Sequence, residues 1–179
     1  HILGSGETSF DVNSKVGHSR SRNQQLSDSV KETNTTGHTA TLKNDIDLEH
    51  ADGLESDWAL NHNKSTAGYI FDKEKTRTEK LEDRTIATGR NHQVKTDASI
   101  DKNSQSGNIG YTLERSNEVE MDGGSKTIEE EKLGVKGGVQ RDIATADDGS
   151  KSSSYKLSTG FSKETKDEVV RKSDAGTFS

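Results

Sequence analysis

The clearest β pattern in the sequence lies in residues 107–161, GNIGYTLERSNEVEMDGGSKTIEEEKLGVKGGVQRDIATADDGSKSSSYKLSTGF. Its apolar residues recur at every second position, which puts them on one face of a β-strand. The turn motifs at 122–125 and 147–150 both contain Asp and Gly, and Gly supplies the positive φ that a tight hairpin needs. The stretch therefore predicts an antiparallel β-meander. The alternating residues are Ile109, Tyr111, Leu113, Val119, Met121, Leu133, Val135, Val139, Tyr155, Leu157 and Phe161.

The rest of the chain repeats this pattern with different spacing. Alternating apolar residues predict strands over 36–49, 54–60, 67–71 and 94–100, with turns or loops at 52–53, 61–65, 89–91 and 102–108. The charged run 72–84 contains good helix formers, but Leu81 is its only apolar residue, so a helix there has no face to bury. We therefore interpret this run as two solvated strand arms joined by a charged turn.

These arms have about 8–15 residues, against about 5–6 in common strands. The predicted fold is all-β, an antiparallel meander of long amphipathic strands with little or no helix. It can form a thin sandwich, a barrel or an extended single-layer sheet. We predict a polar N-terminal segment with one short strand at residues 1–35, the meander at 36–166, and a polar tail or edge at 167–179.

The composition leaves little apolar surface for a core. Of the 179 residues, 25% are hydrophobic, 31% are charged and 4% are aromatic, and the mean hydropathy is −1.02. So polar a chain offsets the entropy of ordering its backbone only with help from backbone hydrogen-bond ladders, cross-strand charge pairs or a neighbouring molecule. We therefore expect self-association or incorporation into a larger protein assembly.

The absent residue types exclude several classes of protein. The chain has no proline, which suits long uninterrupted strands, and no cysteine, which excludes disulfide scaffolds and thiol chemistry. No apolar run is long enough for a transmembrane helix. The chain begins at His1, which indicates a mature form or a fragment. Sequons at Asn34 and Asn63 permit secretion, and we expect an extracellular or cell-surface location.

Candidate metal and catalytic residues are weak. The six histidines, at positions 1, 18, 38, 50, 62 and 92, are at least twelve residues apart, and we interpret them as exposed strand and turn residues. Residues 101–107 have oxygen side chains at alternate positions, but a calcium loop needs Gly at its sixth position and Glu at its twelfth, where this chain has Ser106 and Thr112. A hairpin turn explains this segment better. The acidic pairs Asp45/Asp47 and Asp147/Asp148 are unspecific.

The sequence therefore predicts a protein that is not an enzyme. No catalytic, cofactor-binding or metal-ligating residue is assigned, no cofactor is expected, and Trp58 is interpreted as a core anchor. A pI near 5.5, with basic residues diluted among acids, argues against nucleic acid as a partner.

The predicted function is a secreted or surface structural protein that acts by self-assembly or adhesion through sheet faces and strand edges, on other copies or on charged surfaces. The alternative is a polar β-barrel component of an oligomeric channel or pore-like assembly. A weaker alternative is a carbohydrate-binding or hydrolytic β domain with an unidentified site.

Overall fold

The described part of the chain is one open sheet. The computed structural model describes the backbone of residues 6–50 and 58–171, and the side chains of residues 11–46 and 64–171. Seven antiparallel strands follow one another in the sheet in sequence order. They are β1 (Gly6–Gln25), β2 (Val30–His50), β3 (Trp58–Lys80), β4 (Arg84–Asp101), β5 (Ser104–Met121), β6 (Lys126–Thr145) and β7 (Lys151–Val170). The predicted all-β meander is confirmed, as a single layer that does not close into a barrel.

Both tight turns predicted within residues 107–161 are present in the structure. Gly124, between β5 and β6, has a φ of 86°, and Gly149, between β6 and β7, has a φ of 82°. Each turn is closed by a backbone hydrogen bond of 2.8 Å, from the Met121 N–H to the Ser125 carbonyl and from the Ala146 N–H to the Ser150 carbonyl. These two glycines adopt the left-handed conformation that other residues resist.

The charged run also folds as predicted. It belongs to two strands, because β3 continues to Lys80 and β4 begins at Arg84. The Leu81 N–H donates a 2.8 Å hydrogen bond to the Arg84 carbonyl and so closes the short turn between them.

Two predicted connections are wrong because the strands pass through them. The loop at 61–65 lies inside β3, where the register moves from Asp45 opposite Lys64 to Ile46 opposite His62. One extra residue, Asn63, thus forms a bulge that absorbs the change of apolar phase. The turn at 89–91 lies inside β4. Gly89 lies opposite Ser116 there, and a Cβ at this position would come within 2.5 Å of the Ser116 hydroxyl, which would then have to rotate away.

Strand ends elsewhere also differ from the sequence-based bounds. The turn expected over 102–108 contains only 102–103, and the turn at 52–53 lies outside the described residues. The sheet crosses both boundaries drawn at 35/36 and 166/167, since β1 alone has 20 residues and β7 continues to Val170. In the N-terminal part, polar side chains pair across the strands: the Ser21 and Thr35 hydroxyls are 2.7 Å apart.

The sheet has almost no interior. Among the described residues Val30, 9% exposed, is the only buried hydrophobic side chain. The solvent-accessible surface is 13621 Å², whereas a compact protein of 19.5 kDa has about 8,500 Å². The side chain of Trp58, the expected core anchor, lies outside the described residues. Backbone ladders and cross-strand contacts therefore carry the stability of the described sheet.

Candidate functional site

The register divides the side chains between two faces. Antiparallel partners project to the same side, so a set of residues paired across all seven strands forms a row on one face. The row through Val16 continues with Ala40, Tyr69, Thr96, Ile109, Gly137 and Thr159. The row through His18 continues with His38, Phe71, Val94, Tyr111, Val135 and Phe161. We call the side that carries these two rows the apolar face and the other side the polar face.

Four adjacent rows on the apolar face form an apolar band. They begin at Val12, Ser14, Val16 and His18 on β1 and cross to Tyr155, Leu157, Thr159 and Phe161 on β7. Histidines aside, Arg141 is the band's one charged member. At about 3.4 Å per residue, four rows two residues apart make a band about 20 Å high along the strands. Most of its large side chains are exposed: Leu157 is 84% exposed, Phe161 72% and Val16 70%.

A basic belt borders this band on the same face. It consists of the next three rows, which begin at Arg20, Arg22 and Gln24, where they cross β1 to β5. Glu32 is the only acidic residue in it, and its carboxylate lies 3.2 Å from the Lys75 ammonium. Arg115 lies 4.0 Å from Glu131 of β6, just outside the belt. The seven basic residues of the belt are Arg20, Arg22, Lys73, Lys75, Arg77, Arg90 and Arg115.

The polar face behind the belt carries the opposite charge. Across β1 to β5, its three rows that begin at Ser19, Ser21 and Asn23 contain Asp72, Glu74 and Glu114 and no basic residue. In these three rows the basic residues lie on β6 and β7. The Lys132 ammonium, for example, is 2.9 Å from the Glu114 carboxylate, and this hydrogen bond raises the pKa of Lys132. The two faces of this half of the sheet thus differ in the sign of their charge.

Three histidines lie where the band meets the belt. His18 and His38 are direct cross-strand partners, and the His38 ring lies 5.0 Å from the Phe71 ring and hydrogen-bonds the Tyr69 hydroxyl. The His92 Nδ1 lies 2.5 Å from the Tyr111 hydroxyl. These contacts anchor the rings to aromatic neighbours. No group of three or more His, Asp or Glu side chains within the described residues is arranged to hold a metal ion.

The segment that resembles a calcium loop is a hairpin turn. Both oxygens of Asp101 are used within it: Oδ1 accepts the backbone N–H groups of Asn103 at 2.8 Å and Ser104 at 2.6 Å, and Oδ2 accepts the Ser104 hydroxyl at 3.0 Å. These hydrogen bonds lower the pKa of Asp101, with the Asn103 N–H as the largest cause. Asp148 closes the β6–β7 turn in the same way, through the hydroxyl and N–H of Ser150.

A wide hollow on the described part of the sheet does not resemble a catalytic pocket. It has a volume of about 570 Å³ and is lined by polar and charged residues, among them Glu74, Arg90, Glu114, Arg115 and Lys132. No aromatic side chain lines it. Ligand pockets are usually apolar, with a few convergent polar groups. The surfaces that stand out are instead the apolar face and the strand edges.

The β7 edge is long and open. Gly160 is its only residue that is half-buried rather than exposed, because the Lys136 side chain lies across it; a Cβ at Gly160 would be 2.6 Å from the Lys136 Cε. Along its outer side, the backbone hydrogen-bonding groups of β7 have no partner strand within the described residues. An edge of 20 residues without proline is a template for pairing with another chain.

Comparisons with known proteins add no relative: no protein-family model matches the chain, and no curated protein is similar to it in sequence. Within the described residues there is no helix that is long and apolar enough to cross a membrane.

Proposed function

We propose that the protein is a non-enzymatic structural component of an extracellular or cell-surface assembly, and that copies associate through the edges of the sheet. The observation that carries this proposal is the open single layer itself, with two long edge strands and almost no buried side chain. Native proteins usually cover, shorten or interrupt such edges to prevent pairing. Here β7 has 20 residues and neither a proline nor a bulge against β6.

The β7 edge is self-complementary in antiparallel pairing. Its first half carries two lysines and no acidic residue, whereas its second half carries three acidic residues and two lysines, a net negative charge. A two-fold pairing centred on Thr159 brings Lys151 opposite Asp167 of the second copy and Leu157 opposite Phe161. Opposite charges and apolar pairs that face each other across strands stabilise a sheet. The two edge strands, β1 and β7, run in the same direction, so joining β7 of one copy to β1 of the next with both apolar faces on the same side requires a parallel pair, the less frequent kind.

Sedimentation over a range of concentrations, with far-ultraviolet circular dichroism, tests the proposal. We expect a β spectrum and an association that strengthens with concentration. The variant Glu164→Lys/Asp167→Lys makes β7 almost uniformly basic and should weaken association about tenfold, because like charges then face each other. The matched control Glu74→Lys/Glu120→Lys changes the net charge equally on interior strands and should associate like the wild type.

A protein that stays monomeric at every concentration, or an equal effect of the two variants, would refute edge association. A ring of one fixed copy number would instead support the second candidate function, a channel-like assembly in which copies close through β1 and β7. The open sheet with both edges available is the observation that favours this candidate.

A further inference from the structure

We propose that the apolar face binds the surface of an anionic lipid bilayer, with the apolar band among the lipid chains at the interface and the basic belt on the headgroup phosphates. This inference concerns the face of the sheet and is independent of edge association, so either can fail alone.

The apolar band has the size and exposure that an interfacial surface needs. It is about 20 Å high along the strands and crosses all seven of them. Soluble monomers seldom leave so continuous an apolar surface in water. Amphipathic elements that lie on membranes insert their apolar side by about 5–10 Å, which is within reach of Phe161, Leu157 and Tyr69 when the sheet lies face down. In this orientation the strand edges stay in the hydrated headgroup region, where their backbone groups can bond water.

The basic belt supplies the charge that an anionic bilayer attracts. Of its seven basic residues, Arg20, Arg22, Lys73 and Arg90 make no ion pair within the described part of the chain. Guanidinium groups bind phosphate oxygens with two hydrogen bonds and retain their charge. The belt borders the band on the same face, so both can meet the bilayer at once.

The polar face fixes the orientation. Behind the belt it carries Asp72, Glu74 and Glu114, which an anionic surface repels. The overall net charge of −6 hides this asymmetry, which is local to these rows across β1 to β5; elsewhere the polar face also carries lysines, Lys31 and Lys95 among them. Only with the apolar face toward the lipid are both charge sets placed favourably.

A second copy fits this face less well than lipid. β4 is the middle strand of seven, so a two-fold axis along the strands lays β4 on β4 and brings Arg90 against Arg90 of the second copy, with Lys75 facing Arg115. A two-fold axis across the strands overlays the bands and lays the β1 part of each belt over residues 6–10 of the other copy, where positions 6, 8 and 10 are not acidic. In neither arrangement do the basic residues of the belt face an anionic group, whereas on an anionic bilayer they face the headgroup phosphates.

Flotation with lipid vesicles tests the inference. The protein, at a concentration where it is monomeric, is mixed with vesicles of phosphatidylcholine or with vesicles that contain about one third phosphatidylglycerol. We expect strong partitioning into the anionic vesicles only, and a loss of binding as NaCl rises from about 0.1 M to about 0.5 M. Equal binding to both vesicles, or binding to neither, would overturn the inference.

Charge-reversal variants assign the binding to the belt. Arg22→Glu/Arg90→Glu removes two unpaired cations and should weaken partitioning by more than about twenty-fivefold, since each basic residue near an anionic surface contributes a factor of about five and the new carboxylates are repelled. The control Lys31→Glu/Lys95→Glu makes the same charge change on exposed positions of the polar face and should weaken it less than about threefold, because those side chains point to water. Equal losses would show a response to net charge alone and would contradict the proposed face.

Single cysteine labels read the orientation without relying on charge variants. The chain has no cysteine, so Leu157→Cys and Ser158→Cys each give one site for an environment-sensitive dye. These neighbours project to opposite faces of β7. We expect the dye at position 157 to shift to an apolar environment on anionic vesicles and the dye at 158 to remain in water. The same shift at 157 without vesicles, together with dimer formation, would identify a second copy as the occupant and refute the lipid inference.

Discussion

The two halves of this sheet use one backbone for two different surfaces. On β3, Phe71 belongs to the apolar band and Lys73, two residues on, belongs to the basic belt; on β1 the same step is from His18 to Arg20. The ladder of paired strands crosses this step without a register change. Turns and backbone pairing therefore define this sheet. The exposed side chains of each half can differ without changing the fold, and so they can be suited to different binding partners.

The largest expected effect comes from placing charge in the apolar band. Leu157→Glu/Phe161→Glu replaces two side chains that are 84% and 72% exposed, so the free energy of unfolding should change by less than about 0.5 kcal/mol. Burying a Leu or Phe side chain contributes about 1.5–3 kcal/mol, so partitioning into anionic vesicles should fall about a thousandfold. Flotation measures the partitioning and urea unfolding measures the stability.

The control for this prediction is Ser158→Glu/Ser162→Glu, which makes the same charge change on the polar face of β7. It should leave most of the partitioning intact. If instead the band variant unfolds while the control does not, the band is a structural core rather than a binding surface. The side chains of the apolar half would then be required for folding.

The next effect compares the turns at the two ends of the sheet. Gly149 lies at the end beside the apolar band and Gly124 at the end beside the charged rows, and both have positive φ. Alanine at either position is strained and should lower the free energy of unfolding by about 1–2 kcal/mol. Gly123→Ala, at a neighbouring position with open space around a new Cβ, is the matched control and should change little. Hydrogen exchange would show whether the loss stays in one hairpin; a much smaller loss at Gly149 would mean that the apolar end is supported by something other than its turn.

Sequence alone could predict the strands and the tight turns but not the belt. The Asp-Gly motifs at 122–125 and 147–150 have a local physical cause, and both turns form there. Gly89 resembles a third turn residue in the sequence, but it lies inside β4 opposite Ser116, a placement that depends on the partner strand. Arg20 and Arg22 continue the even phase of Val12 and Val16.

That continued phase was a signal for the belt, but only the register shows that these arginines lie beside Lys73, Lys75 and Arg90. The sequence predicted the apolar face of each strand, but not the band that the seven faces form together. Alternation indicates a face within each strand, whereas the alignment of seven faces into one band depends on turn lengths and on the Asn63 bulge.

A smaller effect is the pH dependence of stability, which should differ in its salt sensitivity between the two ends of the sheet. Hydrogen bonds from the Asn103 N–H, and then from Ser104, lower the pKa of Asp101, so its ionised form stabilises the folded state. This contribution is present above the ordinary pKa of Asp and is lost as the pH falls through the lowered folded value. Asp101→Asn should therefore reduce the urea midpoint at neutral pH, and the difference from wild type should shrink in acid. A difference that is independent of pH would mean that the carboxylate charge is not what closes this turn.

Glu32 gives the matching test at the charged end. Its pKa is lowered first by a 3.1 Å hydrogen bond from Asn34 and then by Lys75. The sign is the same as for Asp101: the stabilisation is present above the ordinary pKa of Glu and is lost as the pH falls through the lowered value. Because one cause is an ion pair, the effect of Glu32→Gln should weaken in high salt, while that of Asp101→Asn should persist, since its main partners are neutral N–H and O–H groups.

The smallest effect is expected from the ion pair on the polar face. Lys132 and Glu114 are 2.9 Å apart, but their side chains are 50% and 45% exposed, so water and salt screen the attraction. Lys132→Ala should lower the urea midpoint slightly at low salt and not at all at high salt, and Lys31→Ala, an exposed lysine on the same face, is the control. If Lys132→Ala cost as much as Gly149→Ala, ion pairs rather than the ladder would hold the charged half together. The charged side chains of that half would then be required for stability, and only the side chains of the apolar half could vary to suit a binding partner.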